Sequence, residues 1–368
     1  MRRRAILLCC WSASLSIAQE AINYATLSGR VKDPSGAVVE GALITARQLD
    51  TNLSSEMTTD NEGRFRFAYL KPGPYRIKVD RKGFGVATRS FALNAGSAYD
   101  LTVDLEINSA FSADVFDDSV VLETSHSQIA GTVARTEMAA LPSNGRNYLD
   151  LALLIPGVSP TNTGANQLFA ETSAVPGQGI SIGSQRNFSN SFVVDGLSGN
   201  DDAAGLAGVF LGYDTVEEFQ VVTSGAQAEF GRALGGYVSV VSKSGSNTLH
   251  GDLYGYFRNQ RWNAANPLSN TVLPVTQAQY GASLGGPVIR DRTFYFANFE
   301  QRELNQSGLS TINPANAAAI DARLAVIGYQ GIGVQTGIYP NPVHMTNLLG
   351  KLDHKVSGND QFSASYSI

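Results

Sequence analysis

Nowhere does this chain offer 18 consecutive apolar residues, yet apolar residues recur at every second position in one segment after another. A membrane-spanning helix needs about 20 predominantly apolar residues, which excludes helices of that kind. Alternation with period two is what a half-buried strand requires, because successive side chains point to opposite faces. The pattern is clear in Phe65, Phe67 and Tyr69 against Arg64, Arg66 and Ala68, and again in Tyr75, Ile77 and Val79 against Arg76, Lys78 and Asp80. It is cleanest in Tyr99, Leu101, Val103, Leu105 and Ile107 against Asp100, Thr102, Asp104 and Glu106. The expected fold class is mostly β.

Turn signals separate these strands: Asp33-Pro34-Ser35-Gly36, Asp60-Asn61-Glu62-Gly63 and Lys71-Pro72-Gly73-Pro74. About seven short strands at this spacing predict an Ig-like β-sandwich over residues 26–107. That region holds 11 basic and 10 acidic residues, so charge selects no partner for it.

Arg2, Arg3 and Arg4 precede the apolar run Ala5–Trp11, and Ser16-Ile17-Ala18 closes the segment with small residues. This reads as a secretory signal peptide over residues 1–18. Its removal would take both cysteines, Cys9 and Cys10, leaving no disulfide, thiol nucleophile or cysteine metal site. An exported, cysteine-free chain with strands but no apolar helix spans a membrane only as a β-barrel.

Residues 108–245 change character, with 14 acidic and five basic residues and long Gly/Ser/Asn-rich stretches at 157–191 and 196–212. Those stretches read as loops or apices with little core of their own. A helix is predicted within Tyr148–Ile155, stopped by Pro156-Gly157, with strands at Phe192–Val194, Phe219–Thr223 and Tyr237–Val241. Residues 246–368 are aromatic-rich, at Leu253–Arg258, Tyr280–Leu284, Thr293–Phe299 and Gln361–Ile368. In the last, Phe362, Ala364, Tyr366 and Ile368 alternate with Gln361, Ser363, Ser365 and Ser367, which fits a strand between lipid and a wet lumen. A helix with Ile320, Leu324 and Ile327 on one face is predicted over Ala315–Ile327, in a surface insertion.

Enzyme signatures are missing. The histidines at 126, 250, 344 and 354 form no H-E-x-x-H pair, and neither a G-x-S-x-G elbow nor a phosphate-loop lysine occurs. Asp195, Asp201 and Asp202 near Gly196 and Gly199 offer oxygen ligands of the calcium type, but their spacing departs from the EF-hand and a solvated acidic turn is the better reading. No basic patch with interleaved aromatics points to nucleic acid. No cofactor is expected.

Three successive segments resemble one family. Residues 26–107 resemble the carboxypeptidase regulatory-like domain through Ser28-Gly29-Arg30-Val31-Lys32-Asp33-Pro34-Ser35-Gly36, Asp60-Asn61-Glu62-Gly63-Arg64-Phe65 and Pro72-Gly73-Pro74-Tyr75. Residues 120–245 are similar to the plug of a TonB-dependent outer-membrane transporter of the Oar-like type. The matching runs include Leu141-Pro142-Ser143-Asn144-Gly145-Arg146-Asn147-Tyr148, Phe192-Val193-Val194-Asp195-Gly196 and Ala228-Glu229-Phe230-Gly231-Arg232, the last followed by Gly235–Asn247. His250-Gly251-Asp252-Leu253-Tyr254 and Leu284–Phe294 resemble the first barrel strands, giving 246–368 as the start of the barrel.

The resemblance implies an N-terminal sandwich, an α+β plug and a transmembrane β-barrel, coupled to the inner membrane through the TonB energy-coupling complex. It implies outer-membrane lipid around the barrel and an extracellular ligand, a saccharide or a peptide. Arg186, Asn187, Asn190 and Asp201 become ligand-contact candidates in apical plug loops, and Glu229 with Arg232 a plug–barrel contact. The acidic stretch Asp114–Glu123 lies where a coupling segment is expected, without a clear consensus. A plugged barrel needs about 22 strands, and the 123 residues from 246 to 368 leave room for about a third of them. A C-terminally truncated sequence is therefore expected. The competing reading is a non-enzymatic surface adhesion or scaffold protein whose sandwich binds carbohydrate; against it, Phe65, Phe67 and Tyr75 fit core positions rather than an exposed platform.

Overall fold

The computed structural model describes residues 23–107, 114–116, 128–141, 146–161, 179–202, 205–209, 211–226, 231–265, 272, 274–310, 312–340, 342–357 and 360–368. The expected signal peptide and Glu229 lie outside them.

The first unit contains β1 (Ala25–Lys32), β2 (Leu43–Gln48), β3 (Ser54–Thr58), β4 (Arg64–Leu70), β5 (Gly73–Asp80), β6 (Ala87–Leu93), β7 (Ala98–Asp104) and β8 (Asp114–Phe116). Two sheets, ordered β4-β1-β7 and β3-β2-β5-β6-β8, face each other. Alternate residues of each strand fill the space between them: Leu27, Val31, Ile44, Phe65, Phe67, Tyr75, Ile77, Val79 and Val103 are buried in one cluster. This is the sandwich that the alternation predicts. Two residues depart: Ile107 is 63% exposed, and Tyr69 is 64% exposed at φ +64°. The β1–β4 register shifts between Ala25 and Leu27, so Leu70, opposite Ala25, takes the inward place.

The second unit contains β9 (Ile129–Ala134), the short helix α1 (Arg135–Ala140), β10 (Val158–Pro160), β11 (Ile180–Ile182), β12 (Asn190–Val194), β13 (Leu197–Ser198), β14 (Asn200–Asp201), β15 (Leu206–Ala207), β16 (Val216–Ser224) and β17 (Gly236–Ser242). Its main sheet runs β13-β12-β17-β16-β9, with β12 parallel to β17. The helix predicted near 148–155 is present as a 3-10 helix, Tyr148–Leu154, capped by Asn147 accepting from Leu149 N–H. Tyr148, Leu149, Phe192, Phe219, Val221, Val238 and Val240 bury together. The unit thus has a core of its own, to which the Gly-rich stretches add Ile180, Ile182, Ala207 and Leu211.

The third unit is one antiparallel sheet, ordered β18 (His250–Asn259), β19 (Val275–Ile289), β20 (Thr293–Ser310), β22 (Val343–Lys355) and β23 (Gln361–Ser367), with β21 (Gly337–Pro340) paired to the far end of β20. At one end only residues 290–292 and 356–360 separate successive strands. At the other they are joined by long connections, one holding helix α2 (Pro314–Val326). The helix predicted over 315–327 is thus present, opened by Pro314 and capped by Asn313, whose side chain accepts from Ala315 N–H. Its apolar face is not covered, however: only Ala317 is buried, and Ile320 and Ile327 are exposed.

Candidate functional site: the polar inner face of the third sheet

The third sheet is built inside out. Strand registers place Gln277, Gln279 and Ser283 of β19, Asn298, Glu300 and Arg302 of β20, and Asn347 and Asp353 of β22 on one face, all buried. The opposite face carries Leu253, Phe257, Tyr280, Leu284, Phe299, Leu348 and Leu352, all exposed. Pairing of β22 with β23 continues the division, with Ser363 and Ser365 on the polar face and Phe362, Ala364 and Tyr366 on the apolar one. A water-soluble sheet buries its apolar face; the reverse is the pattern of a sheet in lipid.

Polar groups of the second unit meet this inner face. The Lys351 ammonium donates to Asp195 Oδ1 at 3.3 Å and to Ser242 O and Oγ at 3.0 Å each. Asp195 ends β12 in the left-handed region at φ +47°, where its carboxylate also accepts from Ser242 N–H at 2.9 Å. Further along, the Arg146 guanidinium pairs with Asp214 at 2.6 Å and lies 4.6 Å from the Tyr213 ring and 4.0 Å from the Tyr256 ring of β18. Cation–π contact of this kind is strongest when desolvated. On the sheet, Tyr254 donates to Glu300 at 3.0 Å.

The sandwich reaches both other units. Lys71 Nζ lies 2.6 Å from Asp353 Oδ1, which also accepts from Ser363 Oγ at 2.7 Å. Burial lowers the Lys71 ammonium from its ordinary value, with Asp353 opposing the shift. Ala95 N–H donates to Glu218 Oε1 at 2.8 Å, and burial pushes that carboxyl up to about 8. Burial also raises Glu217 and Asp50, both partly offset by Arg135. Where the three units meet, a cavity of about 830 Å³ is lined by Asp50, Lys71, Asp195, Glu217, Lys351 and Asp353 among others.

The residues singled out by sequence are dispersed. Arg186 is exposed, and Asn187 opens a 3-10 turn. Asp201 sits in the β14–β15 hairpin opposite Leu206. Asn190 is 1% exposed and donates from Nδ2 to Ile180 O at 2.6 Å, so it shapes the loop rather than facing a ligand. Arg232 pairs with Asp202 at 3.0 Å at an exposed place inside the second unit. Asp195 and Asp202 are thus engaged with different cations, and no metal-binding group of three side chains occurs among the described residues. Lys351, Asp353, Lys71 and Glu218 escaped the sequence reading. The only signal for the first two was a lysine and an aspartate two positions apart in an alternating strand.

Comparison with known proteins agrees with this geometry. Residues 26–106 match the carboxypeptidase regulatory-like domain and residues 241–347 the outer membrane beta barrel domain. The chain is 27% identical over 285 residues to the TonB-dependent transporter Oar of Myxococcus xanthus, a match covering 71% of this chain and 25% of that protein. The chain thus spans about a quarter of the length of that curated relative. Among solved structures it is similar to the siderophore receptor PirA of Acinetobacter baumannii, at 18% identity and TM-score 0.44, covering 65% of this chain and 31% of that one. It is also similar to the ferric enterobactin receptor PfeA of Pseudomonas aeruginosa, at 17% identity and TM-score 0.44, covering 65% and 32%. The chain is thus mostly β, matches the outer membrane beta barrel domain over residues 241–347, and is similar over 71% of its length to a TonB-dependent transporter.

Proposed function

We propose that this chain acts in TonB-dependent uptake of an extracellular ligand across the outer membrane. In this reading the 128–242 unit is the plug, the 250–367 sheet is the first part of the barrel wall, and the sandwich lies in the periplasm. The observation that carries the reading is the inverted sheet. Its polar face is buried against the plug and its apolar face is exposed, as lipid on one side and a filled lumen on the other require. Short turns at 290–292 and 356–360 mark the periplasmic end, and the long connections mark the outside. The sandwich touches the short-turn end, through Lys71–Asp353 and through Lys355 Nζ donating to Ser54 O at 3.1 Å.

Arg186, Asn187 and Asp201 remain the ligand-contact candidates, and a saccharide or peptide matches their hydrogen-bonding character. For energy coupling, the 108–125 segment is the candidate. Part of it, β8, pairs in parallel with β6 of the sandwich, with Asp114 opposite Thr88 and Phe116 opposite Ser90. The test is twofold. Separated membranes should place the protein in the outer-membrane fraction as a heat-modifiable band. A photo-crosslinker at position 118 should then capture the periplasmic domain of the energy transducer. Recovery as a soluble periplasmic protein would favour the adhesion or scaffold reading; outer-membrane protein without a crosslink would remove 108–125 as the coupling segment.

A further inference from the structure

The plug sheet has two faces of opposite character. Phe219 and Val221 of β16 point into the plug core, whereas Glu218 and Gln220 point the other way. Register aligns Thr132 of β9, Gln220 of β16 and Ser239 of β17 in one row across three strands. A polar row on the outside of a sheet normally meets water. Here Glu218, Gln220 and Ser239 are 5%, 2% and 2% exposed, because the sandwich lies over them.

The covering contact is specific. The 94–96 turn of the sandwich offers Ala95 N–H to Glu218 and Ala95 O to Gln220 Nε2, at 2.8 and 3.2 Å. Gly96 sits at φ +67°, and a Cβ there would fall 2.5 Å from Gln220 Oε1, so only glycine fits both the turn and the approach. Gln128 Nε2 donates to Gly96 O at 3.3 Å, and Ser239 Oγ donates to Asn23 Oδ1 at 3.3 Å. On the wall side the same sandwich holds Asp353 through Lys71, gives Ser54 O to Lys355, and accepts from Asn247 N–H at Asp50 O, 3.0 Å.

We propose that the sandwich is a releasable clamp, bridging the outer face of the plug sheet and the periplasmic end of the wall, and that its undocking frees the plug to move. The inference rests on the plug reading above. Both halves of the clamp are hydrogen bonds and ion pairs, which water replaces on separation; polar interfaces between units of one chain are those that open. Undocking also opens the cavity that the sandwich closes between Lys71 and Asp353, at the end where a ligand leaves the lumen.

The test is hydrogen exchange on the full chain in detergent micelles, read on the 94–96 turn, where Ala95 N–H donates across the seam to Glu218. Lys71→Met removes the wall contact and leaves Asp353 short of a cation, which favours the undocked state. Lys71 makes no hydrogen bond to that turn, yet exchange of the Ala95 amide should rise about tenfold if the clamp is one body. Lys355→Ala, a milder change, should give the same pattern more weakly, and covers the case where Lys71→Met misfolds. Faster exchange confined to the sandwich–wall contact, with the Ala95 amide unchanged in either variant, would overturn the proposal. A soluble, non-membrane protein in the fractionation above would sink the transporter reading instead, so the two failures are distinguishable.

Discussion

Glu218→Gln tests the buried seam between sandwich and plug most directly. Glu218 is 5% exposed, and its Oε1 accepts from Ala95 N–H. Burial pushes the carboxyl up to about 8 from an ordinary 4.5; the Ala95 hydrogen bond opposes the shift and neighbouring Glu217 adds to it. Because the folded value lies above the unfolded one, the native state holds the proton more tightly. Its stabilising contribution is complete below about pH 4.5, declines as pH rises and is gone above about pH 8. At ~1.4 kcal/mol per pH unit, the gap amounts to about 5 kcal/mol across that window.

Glutamine keeps an acceptor for Ala95 and never ionises. The stability of Glu218→Gln relative to wild type should therefore grow by ~1.4 kcal/mol per unit from pH 5 to pH 8 and level off above it. Melting of the micelle-embedded chain at pH 5, 6, 7, 8 and 9, for both proteins, measures this. Asp50, also raised by burial, is present in both and cancels in the difference. Parallel pH profiles for the two proteins would refute the argument.

Other consequences are checked as simply. Lys351→Met deletes the ammonium that holds Asp195 and Ser242, at a cost of about 3 kcal/mol, and faster proteolysis or exchange around 193–198 should report it. Gly236→Ala places a Cβ 2.6 Å from Val222 O and 2.7 Å from Ile182 Cγ2, both fixed in the plug sheet and core. It should cost about 2–4 kcal/mol, read as a lowered melting temperature. Leu284→Lys puts a charge on the apolar face of the wall, where about 2–4 kcal/mol opposes insertion, and should lower the yield of outer-membrane protein.

Strand period was legible in the sequence, and for β23 so was the side, its apolar residues reading as lipid-facing; for the strands before it the side was not. Phe65, Phe67 and Ile77 alternate and bury, as sheets in water do. Strand β22 alternates too, but with Asn347, Lys351 and Asp353 inward and Leu348 and Leu352 outward. A charged residue in such a strand reads as solvent-facing until a partner on another unit is known, which is why Lys351 and Asp353 went unnoticed. Asn190 misled in the opposite sense. The resemblance puts it in an apical loop, yet the Ile180 carbonyl ten residues away takes its amide. Helix α2 was legible from the helical spacing of Ile320, Leu324 and Ile327, a local signal, whereas whether that face is covered depends on tertiary placement that no local signal carries.

The same division bears on how the second unit, the plug of the proposed function, is held. Its apolar residues, Phe219, Val221, Val238 and Val240 among them, close on one another inside the unit. Towards the wall it presents Asp195, Ser242 and Arg146, and towards the sandwich Glu218, Gln220 and Ser239. Parting either seam exposes groups that water solvates well, whereas opening the core exposes apolar area at ~25 cal/mol per Å². The energetically cheaper route is therefore separation of the plug as a body along polar seams, not unravelling of its sheet. In that ordering the seam contacts Lys351–Asp195 and Glu218–Ala95 are the ones that break first, and the β16–β17 ladder breaks last.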